Sequence, residues 1–506
     1  MSEIHALFRA TLRQFFQNEV LPYAKQWEEA EQIPRNCWQK MGAAGYLGLD
    51  IPEDFGGTAG DFEMSKIFLE ELGRLGFGGL AAAFSVHTFM SVPHIVRAGH
   101  PALKQRYLPG AASGNLIGAL AISEPFAGSD VSGLRTTARR EGNRYLINGS
   151  KVFITNGYYA DFITVAAKTL PEAGASGISL FVVEGSWPGV RRSKLKKMGW
   201  HCSDTAEIHF DDVEVPAENL IGEENKGFYY IMDSFQMERL SAAIISIAGC
   251  EVALEKTLQY MTEREAFGRP LSRFQALRHR MADLAAEVEI TRAYVEHVCR
   301  LHASGAFAVK ECSIAKLKAT ELAKRVSDEC LQIYGGYGFM EEYPIARMYR
   351  DVRAGTIAGG SSEVMREIVA KILFDGVAYN PVYDSQAASE SVTHPSPSAA
   401  ELVRGLPQRF KKGKMPQYAA CVHLKLHGPG GGEFTVRILN DTCTVEEGLQ
   451  GTPSCSVETE AALYADMETG KIRPEQALFS GKLSISDLGE MMTFSSLFTK
   501  LKEKNN

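Results

Sequence analysis

The sequence predicts a multidomain α+β protein: an N-terminal α-helical domain, a middle β-barrel domain, a C-terminal four-helix bundle and, beyond a linker, a small α/β domain. Three observations predict it. Apolar residues recur at helical spacing up to about residue 118, shift to repeated period-two placement between 119 and 225, and return to helical stripes from 226 to about 376. Residues 380–398 are dominated by proline and serine and lose the bulky aliphatics, which is the composition of a linker. The chain has 506 residues, whereas single cores rarely grow past about 250–300. The expected boundaries are 1–118, 119–225, 226–379, 380–398 and 399–506.

Each element has a local reason. Leu7, Leu12, Phe15 and Phe16 give the first helix an apolar face, Pro34 can start a further helix, and Asp61 is placed to cap the helix carrying Ile67, Phe68, Leu69 and Leu72. Gly76-Phe77-Gly78-Gly79-Leu80-Ala81 imitates a dinucleotide fingerprint, but it follows a helical pattern rather than a strand and is discounted. His87 and His94 lie among apolar residues and read as hydrogen-bonded core or surface histidines, and no metal site is expected. Tyr145, Ile147, Val152, Ile154, Ile163, Val165, Ile178, Leu180 and Val182 read as strands, separated by turns at Asn143, Gly149, Gly157 and Gly189. Their spacing predicts a small barrel-like domain.

Leu277, Met281, Leu284, Val288, Val295 and Val298 fit one helical stripe, and Val326, Cys330 and Ile333 another. Pro270 near a start and Gly305 and Gly335 after ends mark helix boundaries, as in a helical bundle. In the last segment Val422, Leu424 and Leu426 alternate with polar residues, Pro429-Gly430-Gly431-Gly432 turns the chain, and Phe434, Val436 and Ile438 return it. A helix at about 458–469 ended by Gly470 follows, and then a closing helix carrying Leu488, Met491, Met492, Leu497, Phe498 and Leu501.

A net charge of −7 gives no nucleic-acid footprint and no attraction to anionic membranes. The nine cysteines are scattered, with no Cys-x-x-Cys pair, and read as free thiols in a reducing compartment. No run of about 18 apolar residues is seen, so no transmembrane helix is expected. The start lacks the look of a transit peptide and the end lacks a Ser-Lys-Leu address, so the expected location is cytoplasmic.

Two stretches carry chemistry. In Ala121-Ile122-Ser123-Glu124-Pro125-Phe126-Ala127-Gly128-Ser129-Asp130-Val131-Ser132-Gly133, Pro125, Gly128 and Gly133 break regular structure. Ser123, Ser129 and the freed backbone N–H groups suit a ligand rich in phosphate and carbonyl oxygens, although an ordinary polar turn would read the same way. Downstream lies Phe153-Ile154-Thr155-Asn156-Gly157. Together they resemble the flavin-binding signature of the acyl-CoA dehydrogenase family, and the resemblance runs to about Phe374. The C-terminal segment resembles the sterol-carrier-protein lipid-binding domain at Met467-Glu468-Thr469-Gly470-Lys471-Ile472 and Ala477-Leu478-Phe479-Ser480-Gly481-Lys482-Leu483-Ser484-Ile485.

The resemblance implies the acyl-CoA dehydrogenase fold, FAD, an acyl-CoA substrate, an electron-transfer flavoprotein as acceptor, a homotetramer, and a C-terminal domain that binds acyl chains or sterols. It assigns the loop Leu120, Ala121, Ile122, Ser123, Gly128 and Ser129 to the flavin, with Ser129 also near CoA. Phe153, Ile154 and Thr155 fall to the flavin ring, and the family often has tryptophan where this chain has Phe153. Arg264 and Phe267 fall to the pyrophosphate and adenosine side. Gln275 and Gln332-Ile333-Tyr334-Gly335-Gly336 match segments that reach the flavin of a neighbouring subunit, and Ser361, Ser362 and Glu363 complete the cofactor set.

Many members carry the catalytic base late in the bundle, where this chain has Gly359. Isovaleryl-CoA and long-chain dehydrogenases carry it on another helix before an arginine and a leucine, and this chain has Gln236-Met237-Glu238-Arg239-Leu240. The resemblance therefore makes Glu238 the base, with Glu363 as competitor. Tyr229, Gln236, Met237, Arg239, Gly359 and Gly360 are placed at the substrate. An acyl-CoA oxidase using oxygen, and a lipid carrier on an inactive dehydrogenase scaffold, stand as alternatives.

Overall fold

The computed structural model describes residues 2–377, 379, 398–468 and 483–498. Almost all of the expected linker, Gly470, Leu501 and most of the two carrier-like stretches lie outside the described residues. The chain divides into two units, Met1–Ser385 and Gln386–Asn506.

The first unit begins with α1 (Glu3–Phe15), α2 (Leu21–Ala30), α3 (Arg35–Ala43), α4 (Phe62–Arg74), α5 (Gly78–Ser85), α6 (Val92–Ala98) and α7 (Pro101–Ala112). Asp61 caps α4 as its position predicts, accepting the Met64 N–H at 3.0 Å. A π-helical turn, Val86–Ser91, joins α5 to α6, so Gly78–Ala98 forms a 21-residue span long and apolar enough to cross a bilayer. That span is a core helix, because 89% of its most apolar 18-residue window is buried inside the protein. Polar residues interrupt the apolar run in the sequence, and two of them find partners within the fold. Ser91 donates to the Ala119 carbonyl, and His87 uses both ring nitrogens, against the Ala111 carbonyl and the Gly118 N–H. His94 departs from expectation: it is fully buried with neither nitrogen partnered among the described residues, and burial pushes its pKa down to about 3.

The β domain holds β1 (Gly118–Ala121), β2 (Thr137–Glu141), β3 (Arg144–Thr155), β4 (Phe162–Lys168), β5 (Ile178–Glu184), β6 (Val190–Lys194), β7 (Thr205–Pro216) and β8 (Leu220–Ile221). The ladder runs β6-β7-β3-β2-β4-β5-β8, with β1 parallel to β4. Tyr145, Ile147, Ile163, Val165, Phe181, Val183, Val213 and Val215 fill one interior. Phe162, Ala166, Ile178, Leu180 and Val182 face the other way and pack with helical residues such as Leu108 and Ile231. β4 and β5 are therefore apolar on both faces, where period-two spacing had identified a single one.

The bundle comprises α8 (Gly227–Glu263), α9 (Gln275–Ala303), α10 (Val309–Tyr334), α11 (Pro344–Val352) and α12 (Ser362–Phe374). Gly305 and Gly335 sit just past α9 and α10 at φ +76° and +58°, positive values that glycine adopts without strain. One core joins Leu12, Phe68 and Phe84 of the first helices to Leu240, Val298 and Val326 of the bundle. α8 packs against α4, α9 and α10, which explains why buried residues run along most of its length.

The second unit is a five-stranded sheet in the order Thr442–Glu447, Gly432–Leu439, Ala420–His427, Cys455–Glu460, Leu483–Ile485. Val422 pairs with Val436, and both lie in a core with Leu424, Phe434, Ile438, Phe494, Leu497 and Phe498. The strand Cys455–Glu460 occupies the start of the expected helix, which begins instead at Ala461. Ser398 and Glu401 form a reciprocal cap on the helix Ala399–Arg404.

Candidate active site

The glycine- and proline-broken loop is held from beneath by a buried ion pair. Lys151 on β3 is wholly buried and donates to the Glu124 Oε1 at 2.8 Å and to the Ile122 carbonyl at 3.0 Å. Glu124 also accepts the backbone N–H groups of Arg135 (2.6 Å) and Thr136 (3.0 Å). Burial pushes the Lys151 pKa down to about 8 despite Glu124. Burial also opposes ionisation of Glu124, but the Lys151 charge and the donated bonds outweigh it and hold that carboxyl below its ordinary range. Neither residue carried an assignment in the sequence reading, since a pairing between positions 124 and 151 leaves no local pattern.

The second stretch is shaped by a bulge. The β3–β7 register shifts between Lys151 and Ile154, and Phe153 inside it has φ +61° and is 72% exposed. Asn156, at φ +63°, donates to the Ala83 carbonyl at 2.9 Å and to the Gly118 carbonyl at 3.3 Å, tying the end of β3 to α5 and β1. Phe153, Ile154 and Thr155 then form one wall of a cavity of about 560 Å³, and Leu120, Ile122, Ser123, Gly128 and Ser129 form another. Ala121 lies off this wall, because strand alternation turns it into the barrel interior between Leu120 and Ile122.

α8 supplies the opposite side. Phe235, Glu238, Arg239, Ala242, Ile245, Ser246 and Gly249 face the cavity at three- and four-residue spacing. Gln236 and Met237 do not, which corrects their placement by adjacency to Glu238: at about 100° per residue they fall on other faces of the helix. Gln236 accepts the Ala308 N–H at 2.7 Å through Oε1. Met237 walls a separate cavity of about 180 Å³ with Asp50 and Arg97. Tyr229 is also off the wall, half-exposed with the Lys226 Nζ 5.5 Å from its ring.

Three carboxylates reach the cavity: Glu124, Asp351 and Glu238. Glu124 is ion-paired, and Asp351 accepts the Gly78 N–H at 3.0 Å and the Trp200 N–H at 2.7 Å. Glu238 is buried and its Oε1 has no partner among the described residues. Burial raises its pKa to about 8 against the pull of Arg239. The Arg239 guanidinium lies over the Phe235 ring at 5.4 Å. Lys316, another residue the sequence reading did not single out, is wholly buried and donates to the Gly360 carbonyl, and burial and then Arg239 pull its pKa down to about 8.

Gly359 and Gly360 have φ of +63° and +88° and line the cavity with Ser361, whose hydroxyl caps α12 through the Val364 N–H. Ser362 is buried with its Oγ unpartnered among the described residues. Glu363 sits in the first turn of α12, exposed and off the cavity wall, held below its ordinary range by its own backbone N–H and then by Ser361. The competing base therefore points to solvent.

The remaining expected cofactor residues gather elsewhere. Arg264 lies 5.3 Å from the Tyr337 ring, Phe267 is 96% exposed at φ +51°, and Gln275 opens α9. Gln332, Gly335 and Gly336 sit at the exposed end of α10, while Ile333 and Tyr334 are buried, Tyr334 stacking on Tyr260 at 4.1 Å. None lines the cavity. Glu238 and the end of α8 are separated by about 25 residues of helix, about 38 Å at 1.5 Å per residue. One chain therefore holds two separate clusters.

The donor set on the cavity wall suits a ligand rich in phosphate and carbonyl oxygens. Ser123 and Ser129 stand on that wall, and a Cβ built on Gly128 would meet nothing within 4 Å. A helical domain, a β domain and a helical bundle thus surround one cavity into which a buried carboxylate with an unpartnered oxygen projects. Residues 2–115, 119–213 and 225–374 match the family models of the N-terminal, middle and C-terminal domains of acyl-CoA dehydrogenase, and residues 402–499 match the SCP-2 sterol transfer family. The mitochondrial long-chain specific acyl-CoA dehydrogenase of Rattus norvegicus is 42% identical over 73% of this chain and 86% of its own length. An acyl-CoA dehydrogenase of Bacillus subtilis is 37% identical over 74% and 99%. The crystal structure of acyl-CoA dehydrogenase from Geobacillus kaustophilus superposes with a TM-score of 0.72 at 44% identity, covering 74% of this chain and 99% of that one. The chain belongs to the acyl-CoA dehydrogenase family.

Proposed function

We propose that the chain catalyses FAD-dependent α,β-dehydrogenation of an acyl-CoA thioester to the trans-2-enoyl-CoA. The observation that carries this is Glu238, the cavity carboxylate with an unpartnered oxygen, facing the same space as the flavin-type loop. Glu238 as the carboxylate takes the α-proton as a hydride leaves the β-carbon. The flavin, when bound, supplies the two-electron acceptor for that hydride. Ser123, Gly128, Ser129, Phe153 and Thr155 hold it, and the Gly359 N–H polarises the thioester carbonyl as enolate character develops. Arg239 favours the charged form of Glu238. Because the base must be ionised, turnover by the free enzyme rises with pH through about 8.

The electrons pass on to an electron-transfer flavoprotein. The enzyme works as a homotetramer, in which the exposed cluster of Phe267, Gln275, Gln332 and Gly336 meets a neighbouring subunit's cofactor. The exposure of Phe267 and Phe339 supports this assembly. The C-terminal unit binds lipid or acyl chains. All nine cysteines are free thiols, in keeping with a reducing, cytoplasmic setting.

Anaerobic mixing of the flavin-loaded protein with straight, branched and sterol-side-chain acyl-CoAs tests the activity. Bleaching of the flavin with formation of enoyl-CoA is expected. Peroxide formation in air without added acceptor would favour the oxidase, and a colourless protein that resists flavin loading would favour the carrier.

A further inference from the structure

Beyond Glu238 the cavity continues along α8, faced turn after turn by Ala242, Ser246, Gly249 and Ala253. From Glu238 to Ala253 this is about 22 Å of helix at 1.5 Å per residue. α4 crosses α8 within this stretch at very close range. A Cβ on Gly73 would stand 2.5 Å from the Ile245 carbonyl oxygen and 2.8 Å from the Ala248 Cβ. Gly73 is thus required by the crossing itself. Gly249 is different: a Cβ there would have the Gly73 carbonyl oxygen, at 3.9 Å, as its nearest neighbour. Sterics do not demand glycine at 249, and glycine weakens a helix interior. What the missing side chain leaves is open lumen at the point where the two helices pinch.

We propose that Gly249 is the specificity-determining position that lets a long acyl chain extend to the α4–α8 crossing, so that the substrate class is long-chain acyl-CoA. This rests on the dehydrogenase reading above and adds to it a ruler. Gly249 lies about 16 Å along the helix from Glu238. A fully extended chain advances about 1.2 Å per bond, so the terminus of a chain of about sixteen carbons reaches Gly249. Ser246, one turn nearer the base, is reached about four carbons earlier.

The experiment uses the full-length flavin-loaded enzyme, with Gly249→Leu and Ser246→Leu, and reads kcat/KM for acyl-CoAs of increasing chain length. In the unaltered enzyme, chains of about sixteen carbons are expected to be used at least as well as chains of about eight. Gly249→Leu should lower the ratio of long to short by about tenfold or more, the discrimination that lost apolar contacts in a pocket give. Ser246→Leu should move the cut-off to shorter chains by about four carbons. A long-to-short ratio in Gly249→Leu within about twofold of the parent, or the same cut-off in both variants, overturns the ruler while leaving the dehydrogenase reading intact. An unaltered enzyme that uses no chain beyond about eight carbons overturns it without any variant, and failure to bleach with every acyl-CoA overturns both.

Discussion

Replacing Glu238 by glutamine should slow turnover by orders of magnitude and, separately, change how stability depends on pH. The carboxyl's pKa moves from 4.5 to about 8 because it is buried with an unpartnered oxygen. Below pH 4.5 the folded and unfolded chains are both protonated at this site. Between 4.5 and about 8 the unfolded chain ionises while the folded one keeps its proton, so the folded state loses about 1.4 kcal/mol per pH unit. Above about 8 both are ionised and the loss levels off. Glutamine has the same shape and no titration. Between pH 6 and 8 the variant should therefore gain about 3 kcal/mol on the parent, read as a widening gap between their urea unfolding midpoints. Flavin content should be unchanged, and bleaching by acyl-CoA should slow by about 10²–10⁴-fold, the range for loss of a general base. Unfolding curves that stay parallel across this pH range would refute the buried, uncharged resting state. Fast bleaching in the variant would remove Glu238 from the chemistry altogether.

Two other perturbations test different parts of the molecule. Lys151→Met strips the buried Glu124 of its counter-charge, so thermal and urea unfolding should show about 3–5 kcal/mol of lost stability, together with faster loss of flavin on dilution. Adding Glu124→Gln should recover part of both, and an unchanged unfolding midpoint in Lys151→Met would show that the pair does not hold the loop. Deleting the residues after Asn380 should raise the apparent KM for long, poorly soluble acyl-CoAs and leave short ones alone, if the C-terminal domain acts by raising local substrate concentration. Identical steady-state kinetics at every chain length would reject that coupling.

What the sequence discloses of this fold is what local periodicity encodes. Asp61 is readable as a cap because its partner is three residues away, and Gly305 and Gly335 are readable as stops because a positive φ is a one-residue event. Glu238 is readable through a short motif. Its neighbours Gln236 and Met237 are misassigned when the motif is treated as a linear patch, since a helix turns adjacent residues onto different faces. Lys151 with Glu124, and Lys316 with the Gly360 carbonyl, are invisible for another reason. Each joins segments far apart in the chain, and a buried lysine has the same letter as a surface one.

The proposed placement of the catalytic acid on α8 rather than at position 359 has a conformational logic. Position 359 sits in the left-handed region at φ +63°, next to another glycine at +88°, in a turn whose carbonyl is fixed by Lys316. A Cβ at 359 would meet no atom within 4 Å, so space is not the obstacle. Backbone strain is, because a side chain in that conformation costs about 1–2 kcal/mol. Carrying the acid on α8 removes the requirement, since position 238 lies about three turns inside a 37-residue helix where any L-residue is at ease. The turn is then free to serve through its backbone N–H groups. Glu238, the proposed base, stands on a helix packed against α4, α9 and α10, so its reach into the cavity is set by helix packing rather than by loop conformation.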